Sequence, residues 1–383
     1  MTLVAAKTRQ PPATQRTDDL SREVFGLLGL PVDSLDFSKL LRSIEIASDA
    51  VSPYFISTPN VNFLMTSRRN SDFRESLLRS DVCIADGMPL IWLAKLLRIP
   101  INERITGADL FDSLKQNIES RRRLRVFLFG GAEGVATRVS ESLNASNSGM
   151  ECVGALNPGF GSIDDMSTSQ VIDTINSSGA DLLAVFLGAE KAQTWLLRNH
   201  DRIKIPVRAQ FGAAINFEAG TIKRAPAVLR NSGLEWLWRV KEEPYLWRRY
   251  WTDGLSLLHL VFTSAFPLAV NHYWAGRRTA SADQSLRVGL QADDRSIVVS
   301  LSGPAVSRNV DAAVDCFRTA LGAEKDIVVD CSRISIVDPR FVGLFLMVRK
   351  QLLARGQGLR FRDVPPAIGR SFRLNGFDFL LPR

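Results

Sequence analysis

The chain has few cysteines and no pattern among them. Cys83, Cys152, Cys316 and Cys331 are scattered, with no CxxC pair and no neighbouring histidine. That spacing argues against a disulfide framework or a metal knuckle and for reduced thiols in a cytosol. No helix-turn-helix, zinc-finger or RNP pattern is present, so nucleic acid is not the expected partner. The polar N-terminal stretch, rich in Pro, Thr and Gln, is followed by no apolar h-region. It is therefore not a signal peptide, and residues 1–22 read as a disordered tail. No apolar run reaches the ~20 residues needed to span a bilayer.

What is present is length, core material and positive charge. A chain of 383 residues is too long for one ordinary domain. Hydrophobic residues make up 45% of it, enough for full cores. The net charge is +8 and the pI about 9.6. Such a balance favours anionic partners: nucleic acid, an anionic membrane face or phosphorylated substrates. The basic residues cluster at Arg121-Arg122-Arg123, from Arg239 to Arg249, and at Arg277-Arg278.

From Val24 to Ile222, short apolar runs alternate with helical periodicity. Buried strands are expected at Tyr54–Ser57, Val82–Ala85, Arg125–Phe129, Leu182–Leu187 and Val207–Phe211. Continuous apolar strands separated by helical segments predict βαβ units and a parallel sheet covered on both faces. Polar and glycine residues follow these strands repeatedly: Asp86, Gly130, Gly131, Gly188 and Gly212. Ligands bind at that edge of open α/β sheets, although each glycine is also explained by a tight turn.

Between Leu234 and Trp251, aromatics mix with arginines. The mostly apolar stretch from Leu255 to Val270 follows, and its 16 residues fit either a buried helix or an interfacial helix lying on a membrane. Residues 275–294 read as a linker. A small α/β module is expected over 295–383, with strands at Ser296–Leu301, Ile327–Val329 and Leu359–Phe361. Its helices are expected at Val310–Leu321, Gly343–Ala354 and Ala367–Leu374.

Three segments carry the candidate chemistry: Thr58-Pro59-Asn60, Asp86-Gly87, and Glu103 to Leu110 with Arg104, Gly107 and Asp109. Hydroxyl, amide, carboxylate and guanidinium groups on neighbouring loops suit a nucleotide-sugar site. An arginine can hold phosphate oxygens in a fork, and a carboxylate can take a proton from an acceptor hydroxyl. Gly107 would let the backbone approach a ligand. Each segment alone is a weak signal, since Thr-Pro-Asn and Asp-Gly are both common in turns.

In this order the segments resemble the WecG/TagA/CpsF glycosyltransferases. The likeness runs from Leu28 to Trp251. It includes Leu28-Gly29-Leu30-Pro31-Val32-Asp33, Ala85-Asp86-Gly87-Met88-Pro89, Glu103-Arg104-Ile105-Thr106-Gly107-Ala108-Asp109 and Asn157-Pro158-Gly159-Phe160-Gly161. It also includes Ala219 to Pro226, Gly233 to Arg239 and Trp247-Arg248-Arg249-Tyr250. The resemblance implies a Rossmann-like α/β domain over 23–232 with a helical, membrane-proximal appendage over 233–274. It implies an inverting transferase that needs no metal or other cofactor, and no DxD sequence is present. The implied donor is a UDP-sugar, commonly of the mannosamine type. The implied acceptor is a polyprenyl-diphosphate-linked sugar at the inner face of the cytoplasmic membrane, with the enzyme peripheral there. Asp86 falls on the family's proposed base, and Thr58 and Asn60 on the same pocket. Arg239, Arg248 and Arg249 fall on the appendage arginines that would neutralise the diphosphate. Gly87, Arg104, Asp109, Gly130, Gly131 and Gly188 complete the expected binding set.

Two departures stand out. The family's Pro-Lys-Gln-Glu stretch reads Glu190-Lys191-Ala192-Gln193 here, with Gln193 the nearest substitute for the usual glutamine. Asn216 stands where an aspartate is usual. These changes leave a second reading open: a regulatory or scaffold protein that binds a nucleotide-sugar without transferring it. The C-terminal module resembles a STAS domain through Ile327 to Asp338, Gly343-Leu344 and Arg373 to Phe377. The residue after Asp338 is Pro339 rather than a phosphorylatable serine. The module is therefore expected to bind a protein partner or the chain itself, with self-association open.

Overall fold

The computed structural model describes residues 18–118, 122–280 and 285–382. Most of the expected N-terminal tail, together with Arg121, lies outside these residues, as do the side chains of Arg277 and Arg278. The expected tail nevertheless ends too late. Asp19–Ser21 forms a short turn in which Asp19 and Leu20 are buried. Arg22 secures it, pairing with Asp19 and Asp33, both at 2.9 Å.

The chain then makes an antiparallel hairpin of β1 (Val24–Leu27) and β2 (Leu30–Asp33), buried at every position. The main sheet comprises β3 (Tyr54–Ser57), β4 (Val82–Cys83), β5 (Leu124–Gly130), β6 (Met150–Leu156), β7 (Leu182–Phe186) and β8 (Val207–Gln210). Its order is β4-β3-β8-β7-β5-β6, and every pairing is parallel. The unbroken apolar runs are explained by burial on both faces. One face packs Leu40, Ile44, Leu110 and Phe111. The other packs Trp195, Ile172 and Leu196, with Trp195 stacked on Phe129 at 4.3 Å.

The chain runs outward from β3 to β4 and then crosses to the opposite half of the sheet, and β8 returns beside β3. That reversal opens a crevice beyond the carboxyl ends of β3 and β8.

A nearly continuous helix follows the main domain: Trp247–Leu260, a wider π turn at Val261–Ala265, and Phe266–Ala280. Pro267 cannot donate to the carbonyl one turn back, and the widened turn before it absorbs that loss. The helix is longer than the expected 16-residue apolar stretch, and Pro244–Trp274 has the length and composition to cross a membrane. Leu260, Ala265 and Leu268 pack into the main domain, while Trp251, Leu258, Phe262, Phe266 and Trp274 are exposed.

The C-terminal module is a four-stranded sheet of order β12-β11-β10-β9. Its strands are β9 (Arg287–Ala292), β10 (Ser296–Ala305), β11 (Asp326–Val337) and β12 (Leu359–Arg362). Strand β9 lies inside the stretch expected to be linker. It is an edge strand exposed along almost its whole length, so its composition carries no apolar signature.

Candidate active site

Strands β3 and β4 leave the sheet together. Beyond their ends the ladder continues: the Ile84 amide donates to the Ser57 carbonyl at 2.9 Å, and the Asp86 amide to the Pro59 carbonyl at 2.8 Å. Thr58-Pro59-Asn60 and Ala85-Asp86-Gly87 are thereby held side by side. Gly87 has φ +105°, a conformation that side-chain-bearing residues rarely adopt, and it launches helix Met88–Leu96. Asn60 caps helix Val61–Arg69, accepting from the Phe63 amide at 3.3 Å. Thr58 is buried and accepts from Gln210 Nε2 at 3.4 Å across the β3–β8 gap.

The third segment joins through the Ile105 amide, which donates to the Ala85 carbonyl at 3.2 Å. Thr106 caps helix Gly107–Gln116 by accepting from the Asp109 amide at 2.9 Å, and its hydroxyl donates to Asp109 Oδ2 at 2.7 Å. Arg104 lies between two carboxylates, Glu235 at 2.7 Å and Asp109 at 3.6 Å. Asp109 also pairs with Arg224, and with Arg230 at 3.4 Å.

These charges surround Asp86. Burial pushes its carboxyl up, and Glu235 and Asp109 push the same way. Arg104 and Arg239 pull it back, leaving it at about 7. A carboxylate poised there can both exist as a base and hold the proton it takes. Glu235 comes within reach because Gly233 lets the appendage close on helix Met88–Leu96. A Cβ at Gly233 would lie 2.8 Å from Trp92.

A family model described as "Glycosyl transferase WecG/TagA/CpsF family" matches residues 25–270. The chain belongs to this family. It is a glycosyltransferase, with a C-terminal domain over residues 288–382 matched by a model described as "Mlab, STAS domain". A similar protein from Bacillus spizizenii, named N-acetylglucosaminyldiphosphoundecaprenol N-acetyl-beta-D-mannosaminyltransferase, is 27% identical over 225 residues, 57% of this chain and 85% of the relative. Proteins of the same name from Bacillus subtilis and Staphylococcus aureus strain MW2 are each 23% identical. The first match covers 51% of this chain and 73% of the relative, the second 58% and 85%.

Not every expected binding residue reaches the transferase crevice. Gln193 is fully buried, donating to Ser57 Oγ at 2.6 Å, and Ala192 is buried among the aromatics behind β7. Neither presents a surface to a ligand, so Gln193 does not replace the missing glutamine. The helix after β7 begins at Ala189, and its turn directs both positions into the core. Gly107 is pressed against the backbone of Phe211 rather than facing open space, its Cβ position lying 3.3 Å from the Phe211 Cα.

Gly130 and Gly131 turn tightly out of β5, the Gly131 amide donating to the Phe186 carbonyl at 3.0 Å. Gly188 caps the helix after β7 and has open space around it. Arg239 is half-buried, paired with Glu243 at 2.6 Å and lying over the Phe217 ring. Arg248 and Arg249 are exposed on the long helix, over Trp247 and Tyr250.

The structure adds residues that sequence reasoning did not single out. Glu235, Arg224 and Arg230 complete the charge cluster. Gln210 ends β8 with its Oε1 buried and without a hydrogen-bond partner. The available signal was a polar residue at the carboxyl end of a central strand.

Proposed function

We propose that the chain transfers a hexose or N-acetylhexosamine of the mannosamine type from a UDP-sugar to a polyprenyl-diphosphate-linked sugar, with inversion and without a metal ion. The product would enter cell-surface polysaccharide or glycolipid biosynthesis. The observation that carries this reading is Asp86, a carboxyl raised to about 7 at the carboxyl end of β4 among paired arginines. The names of the relatives support the acceptor and sugar classes.

In this mechanism the acceptor oxygen attacks the anomeric carbon from the face opposite UDP. Its proton passes to Asp86, the new carbon–oxygen bond forms, and the bond to the UDP β-phosphate oxygen breaks. Arg104 and Arg239 act on the negative charge that develops on the diphosphate. Thr58 and Gln210, both buried and bonded to each other, support the crevice from beneath. Arg248 and Arg249 face outward beside exposed tryptophans, where they suit the acceptor's own diphosphate at a membrane surface.

The enzyme would sit peripherally on the inner face of the cytoplasmic membrane; the exposed aromatic stripe of the long helix supports contact with a membrane surface. The deciding assay offers a panel of UDP-sugars with a lipid-diphosphate acceptor in the presence of EDTA. The reading predicts transfer with one donor that is lost in Asp86→Asn. Turnover that EDTA abolishes and added metal restores would overturn its metal-free part.

A second reading, a nucleotide-sugar-binding regulator, rests on the departures from the family pattern at Ala192 and Asn216 and on the STAS module. UDP binding by calorimetry with no transfer to any acceptor would select it.

A further inference from the structure

The STAS domain is fitted to the transferase domain through helix Pro339–Leu353, which is buried continuously from Pro339 to Val348. One side of this helix serves the STAS core and the other packs against the β1–β2 hairpin and helix Ser71–Arg79. The approach is backbone-close. A Cβ at Gly343 would lie 1.9 Å from the Val24 carbonyl oxygen, and one at Gly26 would lie 2.5 Å from Val342. Asn375 accepts from the Leu28 amide at 2.7 Å and donates to the Gly26 carbonyl at 3.2 Å. Arg349 forks onto Glu75 with two contacts of 2.8 Å.

At the end of this seam, Lys350 does something different. Its ammonium donates to Asp19 at 2.9 Å, to the Ser80 carbonyl at 3.1 Å and to Asp81 Oδ1 at 3.0 Å, which uses all its donors. The other oxygen of Asp81 accepts from the Phe55 amide at 2.8 Å, and the Asp81 amide donates back to the Phe55 carbonyl at 2.8 Å. Asp81 thus locks the start of β3 to the start of β4. The same two strands end in the Thr58 and Asp86 loops, and the amides of Asp81, Ile84 and Asp86 donate in turn to the carbonyls of Phe55, Ser57 and Pro59.

We infer that Lys350 is a positioning residue of the transferase site: acting through Asp81, it sets the register of the two strands that carry Thr58 and Asp86. The STAS domain then serves its own chain through this helix, and the helix is not free to recruit another protein. Without the ammonium, Asp19 keeps Arg22, whereas Asp81 loses its ion pair. Asp81, no longer anchored from the seam, is free to turn away from the Phe55 amide, and the first rung of the ladder loosens. The inference rests on Asp86 being the working base.

The test compares Lys350→Met, Lys350→Arg and Arg349→Met in the full-length protein. Arg349 contributes to the same seam but binds a helix rather than the catalytic strands. We expect Lys350→Met to lower kcat at least about ten-fold with donor KM within about two-fold, because small misplacements of reacting groups are costly. Lys350→Arg restores most of the rate, and Arg349→Met stays near wild type. Hydrogen exchange in Lys350→Met quickens over 54–60 and 81–87 and not over β5 or β7. An unchanged kcat in folded Lys350→Met, an equal loss in Arg349→Met, or a uniform rise in exchange would each overturn the inference. If the wild-type protein transfers no sugar, the transferase reading fails on its own, and the exchange pattern decides the coupling separately.

Discussion

Glu235 holds the guanidinium of Arg104 at 2.7 Å across 131 positions of sequence. The pair ties the helical appendage to the loop beside Asp86, so closing the appendage sets the charge balance of the site. Glu235 favours the protonated form of Asp86 and Arg104 favours the ionised form.

The pH dependence of kcat/KM follows from that balance. A base must be ionised, so the rate climbs with pH through an acid limb near 7. Glu235→Gln removes a negative neighbour and frees Arg104, so the limb moves to lower pH. Arg104→Gln removes a positive neighbour, so the limb moves to higher pH. Rate profiles of the three proteins between pH 5 and 9 check the sign. Shifts in the same direction for both variants would refute the arrangement.

Asp86→Asn separates activity from stability. Turnover is expected to fall about 10²- to 10⁴-fold with the base gone. Stability moves the other way. The unfolded chain loses this proton near pH 4, whereas the native protein holds it to about 7. Between those values the native state binds more protons, so wild-type stability falls as pH rises and stays lower above 7. Asparagine carries no such penalty. The variant should melt above wild type at pH 8, with the gap closing toward pH 4, as read by scanning calorimetry.

Much of this site was legible in the sequence, for physical reasons. Strands buried on both faces must be apolar throughout, so β3, β5 and β7 were visible as runs, and the loops after them follow from the parallel topology. Asp86 and Arg104 were found through motifs local to those loops. Glu235 was not, because its role depends on how the appendage folds back, and that turns on Gly233 meeting Trp92. Gln193 looked like a ligand group by position, and only the helix phase reveals that it points inward. Strand β9 and the hairpin were missed because one is exposed at the edge and the other is short.

Asp109 joins three arginines, Arg104, Arg224 and Arg230, while remaining 28% exposed. Asp109→Asn leaves those cations facing one another. Removing one partner of a buried cluster costs several kcal/mol, but water reaches this one, so about 1–3 kcal/mol is expected. Urea denaturation should show the loss as a lower midpoint with an unchanged slope. A midpoint equal to wild type would mean the cluster is solvated and contributes little.

Gly343 gives the sharpest test of the seam. Alanine is ordinarily better than glycine inside a helix by about 1 kcal/mol. At this position its methyl group would meet the Val24 carbonyl oxygen at 1.9 Å, and that atom belongs to backbone that cannot rotate aside. The clash should outweigh the helical gain and leave Gly343→Ala less stable by about 1–3 kcal/mol. Because the strain falls between domains, the melting curve should also separate into two steps. Gly322 provides the contrast, since it ends another STAS helix and a Cβ there meets nothing within 4 Å. Gly322→Ala should be neutral or stabilising by up to about 1 kcal/mol. Equal behaviour of the two variants would mean that the domains are not held at the spacing the structure gives them.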